Sequence, residues 1–201
     1  MKKLTGSIFW IPPSEDPLSA DVVIADAKDR YYVFDVGADE STADILGALD
    51  KPICVILSHF HPDHVANLQQ LAPHAVYQGR FTLQKTHTGA AIAEPVVLQE
   101  DPSIRVLPFP SSHAKDSLAL EVDRTYLFVG DGIYSTMKQG RPAYNAGTLQ
   151  QTIRTLRDSP ARLVGVSHAD PFLVPKNAVL KDLEAIYALR VPKMPYIFVS
   201  E

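Results

Sequence analysis

The chain has 201 residues, 46% of them hydrophobic and 21% charged, which is typical of a folded globular protein and excludes a disordered one. A formal net charge of −4 gives no general electrostatic reason to expect nucleic acid or an anionic membrane as a partner. The single cysteine, Cys54, cannot form an internal disulfide, and no apolar stretch approaches the roughly 18 residues that span a bilayer. We therefore expect one cytoplasmic domain over residues 1–201, whose oligomeric state stays open.

The first half of the chain predicts a sheet with helices between its strands. Two β-branched and aromatic runs, at residues 22–24 and 31–34, predict a hairpin because a short polar segment separates them. Residues 39–49 have helical spacing of apolar positions, with Asp39 or Ser41 as the cap. The continuous apolar run at 53–57 predicts a buried strand, and 63–71 a second helix.

The second half predicts another group of strands followed by helices. The predicted strands are residues 104–106, 118–122, 125–129 and 163–166, with a tight turn at Asp123-Arg124. The segment 145–157 is amphipathic and predicts a helix, residues 179–189 predict the last one, and 137–144 predicts a loop that can cover a site. Sheets interleaved with single helices favour a layered α/β fold.

The most informative stretch is a run of histidines directly after the predicted strand 53–57. It reads Ser58-His59-Phe60-His61-Pro62-Asp63-His64. His59 and His61 can point the same way in an extended segment, because alternate residues share a face. Asp63 and His64 follow the turn at Pro62 and can face a second ion. Three imidazoles and one carboxylate at the carboxyl end of a strand predict a metal site, since histidine fills only 7 of 201 positions.

This stretch resembles the His-x-His-x-Asp-His motif of the metallo-β-lactamase superfamily, and the resemblance covers about residues 20–170. The superfamily's other landmarks follow in order: Phe34-Asp35-Val36-Gly37, His113 after the strand at 104–107, Asp131 after the strand at 126–130, and His168 after the strand at 163–167. Asp116 is a departure, because many relatives have glycine at that place in the His113 loop. The difference concerns the backbone shape of the loop and not the ligand.

The resemblance implies an αββα four-layer sandwich with its site along one edge of the two sheets. It assigns His59, His61 and His113 to one ion and Asp63, His64 and His168 to a second, with Asp131 bridging both. Imidazole and carboxylate ligands suit zinc and also iron or manganese, and no thiolate is at hand to favour a softer metal. We expect two divalent ions, zinc before iron or manganese.

Other residues receive roles from the same resemblance. Asp63 is expected to orient the attacking water or carry its proton, and Asp35 to hold the metal-binding loop by hydrogen bonds, although a simple turn aspartate is an alternative. Tyr134 stands where lactone-hydrolysing relatives have a tyrosine that donates a hydrogen bond to the substrate carbonyl. A tyrosine of the rim or the core is an equal alternative. His74 and His87 have no motif around them, and Cys54 is expected to be a small buried hydrophobe.

Lys138 and Arg141 lie in the predicted loop 137–144. Each can hold a carboxylate or phosphate of the substrate, and each can equally be a solvated surface charge. The sequence favours the solvated alternative for both.

These expectations together favour a binuclear metal-dependent hydrolase that uses a metal-bound hydroxide on a small ester, thioester or lactone. The alternatives are a phosphodiesterase or nuclease, a mononuclear iron sulfur-dioxygenase of the same fold, and a regulatory protein without turnover. The acidic balance weighs against the nuclease. Degenerate members of the superfamily usually lose ligands, whereas all seven are present in this sequence, which favours an enzyme. The expected partner is a small-molecule substrate.

Overall fold

The computed structural model describes residues 1–200, which form eighteen strands and five α-helices. In chain order the strands are β1 (Lys2–Thr5), β2 (Ile8–Ile11), β3 (Ser14–Glu15), β4 (Leu18–Ser19), β5 (Val22–Asp26), β6 (Tyr31–Phe34), β7 (Ile53–Ile56), β8 (Ala75–Gln78), β9 (Ala90–Ala91), β10 (Val96–Gln99), β11 (Ile104–Pro108), β12 (Leu118–Val122), β13 (Tyr126–Phe128), β14 (Thr136–Lys138), β15 (Arg141–Asn145), β16 (Leu163–Gly165), β17 (Leu173–Pro175) and β18 (Tyr196–Phe198). The helices are α1 (Glu40–Gly47), α2 (Pro62–Val65), α3 (Arg80–Thr86), α4 (Ala146–Asp158) and α5 (Lys176–Ala188), with a 3₁₀ turn at Ala66–Gln69. Within residues 1–200, every helix is too short or too polar to cross a membrane.

Two large sheets carry the fold. The first has seven strands in the order β1-β2-β5-β6-β7-β8-β9, and the second has six in the order β10-β11-β12-β13-β16-β17. In the first sheet β6, β7 and β8 are parallel, and in the second β13 and β16 are parallel. Parallel neighbours end at the same edge of a sheet, so the segments that follow β6, β7, β13 and β16 leave their sheets beside one another.

The side chains of each strand alternate between the two faces of its sheet, and both faces are covered, so the fold has four layers. On β5, Val23 and Ala25 join a core between the two sheets, whereas Val22 and Ile24 pack on the opposite face together with Leu46 of α1. Successive side chains of a strand point to opposite faces, so a strand that is apolar throughout must be covered on both sides. The second sheet follows the same rule, because its outer face packs against α4 and α5. The expected αββα sandwich is confirmed.

Several predicted elements are confirmed with small shifts of their ends. The hairpin of β5 and β6 is antiparallel, and β7 is buried. Asp39 caps α1 by accepting a hydrogen bond from the backbone N–H of Thr42, and Asn145 caps α4 in the same way through Thr148. Asp123 and Arg124 both have positive φ, as a tight two-residue turn between β12 and β13 requires.

Three predictions from the sequence are corrected. The helix expected at 63–71 is a single turn, α2, followed by the 3₁₀ turn. The buried Asn67 amide donates to the carbonyls of Val36 and Asp39, which holds this segment out of a longer helix. The loop expected at 137–144 is a hairpin of β14 and β15 that pairs with β18 near the end of the chain. The last helix, expected at 179–189, begins earlier at Lys176.

Candidate metal centre

The seven predicted ligands meet at the edge where parallel strands of both sheets end. Those in the histidine motif follow β7, and His113 lies in the loop between β11 and β12. Asp131 follows β13, and His168 follows β16. They form two groups of four residues, in each of which the possible ligand atoms lie within 4.8 Å of one another. We call them group one (His59, His61, His113, Asp131) and group two (Asp63, His64, His168, Asp131).

Group one consists of three imidazole nitrogens and one carboxylate oxygen. His61 Nδ1 lies 2.9 Å from His59 Nε2 and 3.1 Å from His113 Nε2. Asp131 Oδ2 lies 3.3 Å from His113 Nε2 and 3.9 Å from His59 Nε2. Four ligands at about 2.0–2.1 Å from a tetrahedral zinc are separated by about 3.4 Å, so these spacings fit one such ion.

Group two has two imidazole nitrogens and two carboxylate oxygens. Asp63 Oδ2 lies 3.0 Å from His168 Nε2 and 3.3 Å from His64 Nε2. Asp131 Oδ1 lies 3.4 Å from His64 Nε2 and 4.0 Å from His168 Nε2. Asp131 therefore directs one oxygen to each group, which is the arrangement of a bridging carboxylate.

Two buried atoms of group two lack hydrogen-bond partners within residues 1–200, and this observation fits a metal ion independently of the ligand spacing. His64 Nε2 and Asp131 Oδ1 have no hydrogen-bond partner among the described residues, and both face the same space. A buried polar atom without a partner costs about 1–3 kcal/mol, so such atoms call for an explanation. A cation bound between them would supply the missing interaction for both.

A chain of hydrogen bonds orients the histidines from behind. Asp35 accepts from His64 Nδ1 at 2.8 Å and from the Ser58 hydroxyl at 2.7 Å. The Ser58 oxygen lies 3.0 Å from His59 Nδ1 and can accept its proton. His113 Nδ1 lies 3.2 Å from the carbonyl of Ser135. When each Nδ1–H donates outward, the lone pair on Nε2 is left pointing into the cluster, as a ligand requires.

The same environment separates the proton affinities of the histidines. Burial lowers the pKa of His59, and the neighbouring His64 and His61 lower it further, so its neutral form is favoured. Burial acts in the same direction on His64, but the carboxylates of Asp35 and Asp131 outweigh it and raise the pKa of His64. Only the neutral imidazole binds metal, so the raised pKa of His64 means that a proton competes with an ion for group two.

Several residues of the site have a left-handed backbone, among them Asp35 with φ +58°. Gly130 has φ +54°, and a Cβ atom there would lie 2.6 Å from the Ser58 hydroxyl oxygen, so only glycine fits before Asp131. His168 also has positive φ. Asp116 has φ +53°, which shows that the His113 loop keeps a conformation favoured by glycine with an aspartate in its place.

Asp21 belongs to the site and was missed from the sequence. Its carboxylate accepts from the backbone N–H of His168 at 2.8 Å and from the indole of Trp10 at 2.6 Å, and the Ser167 hydroxyl lies 3.2 Å away. Burial raises the pKa of Asp21. An acidic residue at the start of an apolar strand was the available signal, because such a residue is buried only when it has partners.

The other singled-out residues lie as follows. The Tyr134 hydroxyl donates to the carbonyl of Ser167 at 2.7 Å, so contact with a substrate would require exchange of this bond, and its catalytic role stays a prediction. His74 and His87 are exposed outside the cluster. Cys54 is buried in the core between the sheets, as expected.

Comparisons with known proteins agree with this fold. The family model of the metallo-beta-lactamase superfamily matches residues 16–80, which include Asp35 and the histidine motif. A search of curated proteins found no match.

Solved structures match over nearly the whole chain. A metallo-beta-lactamase superfamily protein from Sulfolobus tokodaii is 18% identical with a TM-score of 0.64, over 94% of this chain and 90% of its own. The DIM-1 metallo-beta-lactamase is 18% identical with a TM-score of 0.66, over 93% and 95%. A metallo-beta-lactamase family protein from Thermus thermophilus is 15% identical with a TM-score of 0.64, over 92% and 80%. The resemblance is thereby confirmed: this chain has the fold of the metallo-β-lactamase superfamily and carries a candidate His/Asp metal site.

Proposed function

We propose that the protein is a hydrolase that holds two divalent ions, zinc before iron or manganese, and cleaves a small ester, thioester or lactone. One observation carries the proposal: eight ligand atoms from seven residues divide into two sets with metal-ligand spacing, and Asp131 contributes one oxygen to each. The superfamily consists mostly of metal-dependent hydrolases, which supports the reaction class.

The chain's own residues supply binding and orientation. Two ions held at these groups would activate a water molecule and polarise a substrate oxygen. His59 and His64 are fixed from behind by Ser58 and Asp35, so their rings need no rearrangement on binding. Although burial alone would raise the pKa of Asp63, the hydrogen bond from His168 and the charge of His64 outweigh it and lower that pKa. The lowered pKa keeps Asp63 ionised at neutral pH, as a ligand of a group-two ion requires, but it also makes Asp63 a weaker base. The proposed part of Asp63 in proton transfer therefore rests on its position in the site.

The test joins metal analysis to a substrate panel. Protein purified without added ions is assayed for zinc, iron and manganese per chain, then with thioester, lactone and phosphodiester substrates, while oxygen uptake is followed. We expect close to two ions per chain and turnover of an ester, thioester or lactone without oxygen consumption. Oxygen uptake with a single bound iron would replace the proposal with a dioxygenase, and turnover of the phosphodiester alone would replace it with a phosphodiesterase.

His61→Ala tests the ligand assignment, with His74→Ala as the matched control. Both changes remove one imidazole, but His74 is exposed and lies outside both groups. We expect His61→Ala to lose the group-one ion, which is about half of its bound metal, together with its hydrolysis, and His74→Ala to retain both ions and turnover. Equal metal content and turnover in the two variants would refute the assignment.

A further inference from the structure

A cavity of about 380 Å³ opens beside the metal centre, and His113 of group one forms part of its wall. Its lining comes from the His113 loop, from the hairpin of β14 and β15, from the start of α4, and from Phe60, Phe81 and Tyr196. This volume lies within the range of about 300–1,000 Å³ that small-molecule sites occupy. Because His113, a predicted metal ligand of group one, lines the cavity, a molecule bound there can reach group one.

The charged groups that line the cavity are all cationic, although the chain as a whole carries −4. Lys115 extends over the ring of Phe81 at 5.9 Å, and Lys138 lies over the ring of Tyr196 at 5.1 Å. Neither lysine has an ion-pair partner within 4.0 Å among residues 1–200, and the cavity wall contains no aspartate or glutamate. Unpaired cations around a concave surface attract an anion more strongly than the same cations on a convex one.

The hydroxyl groups of the wall are also suited to an anion. The Ser111 oxygen accepts the backbone N–H of His113, and the Ser112 oxygen accepts that of Asn145, each at 3.0 Å. Both oxygens accept a hydrogen bond, and neither O–H donates one within residues 1–200, so each O–H stays available to donate into the cavity.

We propose that this cavity holds an anionic group of the substrate, a carboxylate or a phosphate, while the scissile carbonyl lies at the metal centre. The inference rests on the proposed function and narrows it to small acyl compounds that carry a negative charge away from the bond that is cleaved. Lys115 and Lys138 bind the charge from two different walls, and the flanking aromatic rings accommodate the connecting part of the molecule.

Matched substrate pairs test the proposal. One pair consists of two thioesters of equal length whose acyl arms end in a carboxylate or in the neutral carboxamide. A second pair places a phosphate or a hydroxyl at the end of the thiol leaving group. We expect the anionic member of at least one pair to have a kcat/KM about tenfold higher, mainly through a lower KM, since charge-assisted hydrogen bonds are stronger than neutral ones. Equal kcat/KM within both pairs would overturn the proposal.

Three variants locate the effect. Lys115→Gln and Lys138→Gln remove the cavity's cations, whereas Arg141→Gln is the matched control. Arg141 is the cross-strand partner of Lys138 in the same hairpin, but it lies over Phe198 and does not line the cavity. We expect each lysine variant to lose most of the preference for the anionic substrate while neutral substrates are hydrolysed as before, and Arg141→Gln to keep the preference. An equal loss on both members of a pair, or the same loss in Arg141→Gln, would contradict a direct contact.

A binding measurement separates this proposal from the proposed function. If neither the members of the pairs nor any other ester, thioester or lactone is hydrolysed, the proposed function fails. Calorimetric titration of the metal-loaded protein with phenyl phosphate then tests the cavity on its own. Binding that is about tenfold weaker in both lysine variants and unchanged in Arg141→Gln supports an anion site. Equal binding in all four proteins overturns it.

Discussion

Group one and group two share Asp131 but differ in the types of ligand that complete them. Group one adds three imidazoles, and its His113 is held from behind by the neutral carbonyl of Ser135. Group two adds two imidazoles and a second carboxylate. Its His64 is held by the buried carboxylate of Asp35, and the backbone of His168 by the buried Asp21.

The difference predicts two unequal metal sites in one cluster. Group two has the higher density of negative charge and the more buried support, so an ion there receives the stronger electrostatic stabilisation. Group one borders the open cavity through His113. A structural division follows, in which group two rests on two buried carboxylates, Asp35 and Asp21, whereas group one reaches the rim of the cavity through His113.

The largest effect is expected at the shared residue. Asp131→Asn removes the charge from both groups and leaves only one oxygen, so we expect loss of most of both ions and a fall in kcat/KM of at least about 10³-fold. Metal content and kcat/KM measure the effect. Asp44→Asn, a change of an exposed aspartate on α1, is the control and should match the wild type. Two retained ions in Asp131→Asn would mean that the carboxylate bridges nothing.

Single-group variants come next and test the division directly. His113→Ala removes a ligand of group one alone, and His168→Ala a ligand of group two alone. We expect each to retain about one ion per chain at limiting metal and to lose about 10²-fold or more in kcat/KM. Spectroscopy of cobalt-substituted protein should show different environments for the two remaining ions. Identical spectra and stoichiometry in both variants would show that the cluster does not divide as described.

Asp35→Asn should affect the groups unequally. Asp35 accepts from the Ser58 N–H, the Ser58 hydroxyl and His64, whereas an asparagine at this place turns an NH₂ group toward at least one of these donors. His64 loses its charged partner directly, and His59 is affected only through Ser58. We expect metal affinity to fall about 10- to 100-fold at group two and less at group one, measured by competition with a chromophoric chelator. Equal losses at both groups would indicate general collapse of the loop.

The ligands could be predicted from the sequence because their chemistry is local. His59, His61 and His64 lie within eight residues of the end of β7, and the distant ligands His113 and His168 each follow a recognisable apolar strand. Alternating or continuous apolar runs likewise predicted the central strands of both sheets, because the burial of these strands shows in the pattern of each single segment. The outer strands β1, β2, β8 and β9 of the first sheet and β10 and β17 of the second were not predicted.

What the sequence did not reveal depends on pairing between distant segments. The hairpin of β14 and β15 exists because β18, some fifty residues later, adds a third strand to it. The cavity beside His113 likewise arises where Lys115, Lys138 and Tyr196 come together from three separate elements. Asp21 accepts a hydrogen bond from the backbone N–H of His168, which lies 147 positions later in the chain. Because every residue except proline has such an N–H, the side chain at position 168 does not indicate this contact. Such contacts follow from topology and not from local periodicity.

The smallest effect, and the one most specific to group two, is expected from Asp21→Asn. Its two oxygens accept from Trp10 on one side and from the His168 N–H on the other, so asparagine can satisfy only one side. His168 has a left-handed backbone that this bond stabilises, and its release would displace one ligand of group two. We expect about a tenfold loss of affinity for the group-two ion with group one unchanged.

Stability should change little in the same variant, because two effects oppose each other. Burial raises the pKa of Asp21, which means that its charge is costly in the folded state, and asparagine removes that cost while it loses one hydrogen bond. We expect the free energy of unfolding of the metal-free protein to change by no more than about 1 kcal/mol, whereas competition with a chelator detects the weakened ion. Asp44→Asn again serves as the control. If Asp21→Asn lowered the affinity for both ions equally, or for neither, the division of the cluster into a group two supported by buried carboxylates and a group one at the rim of the cavity would be wrong.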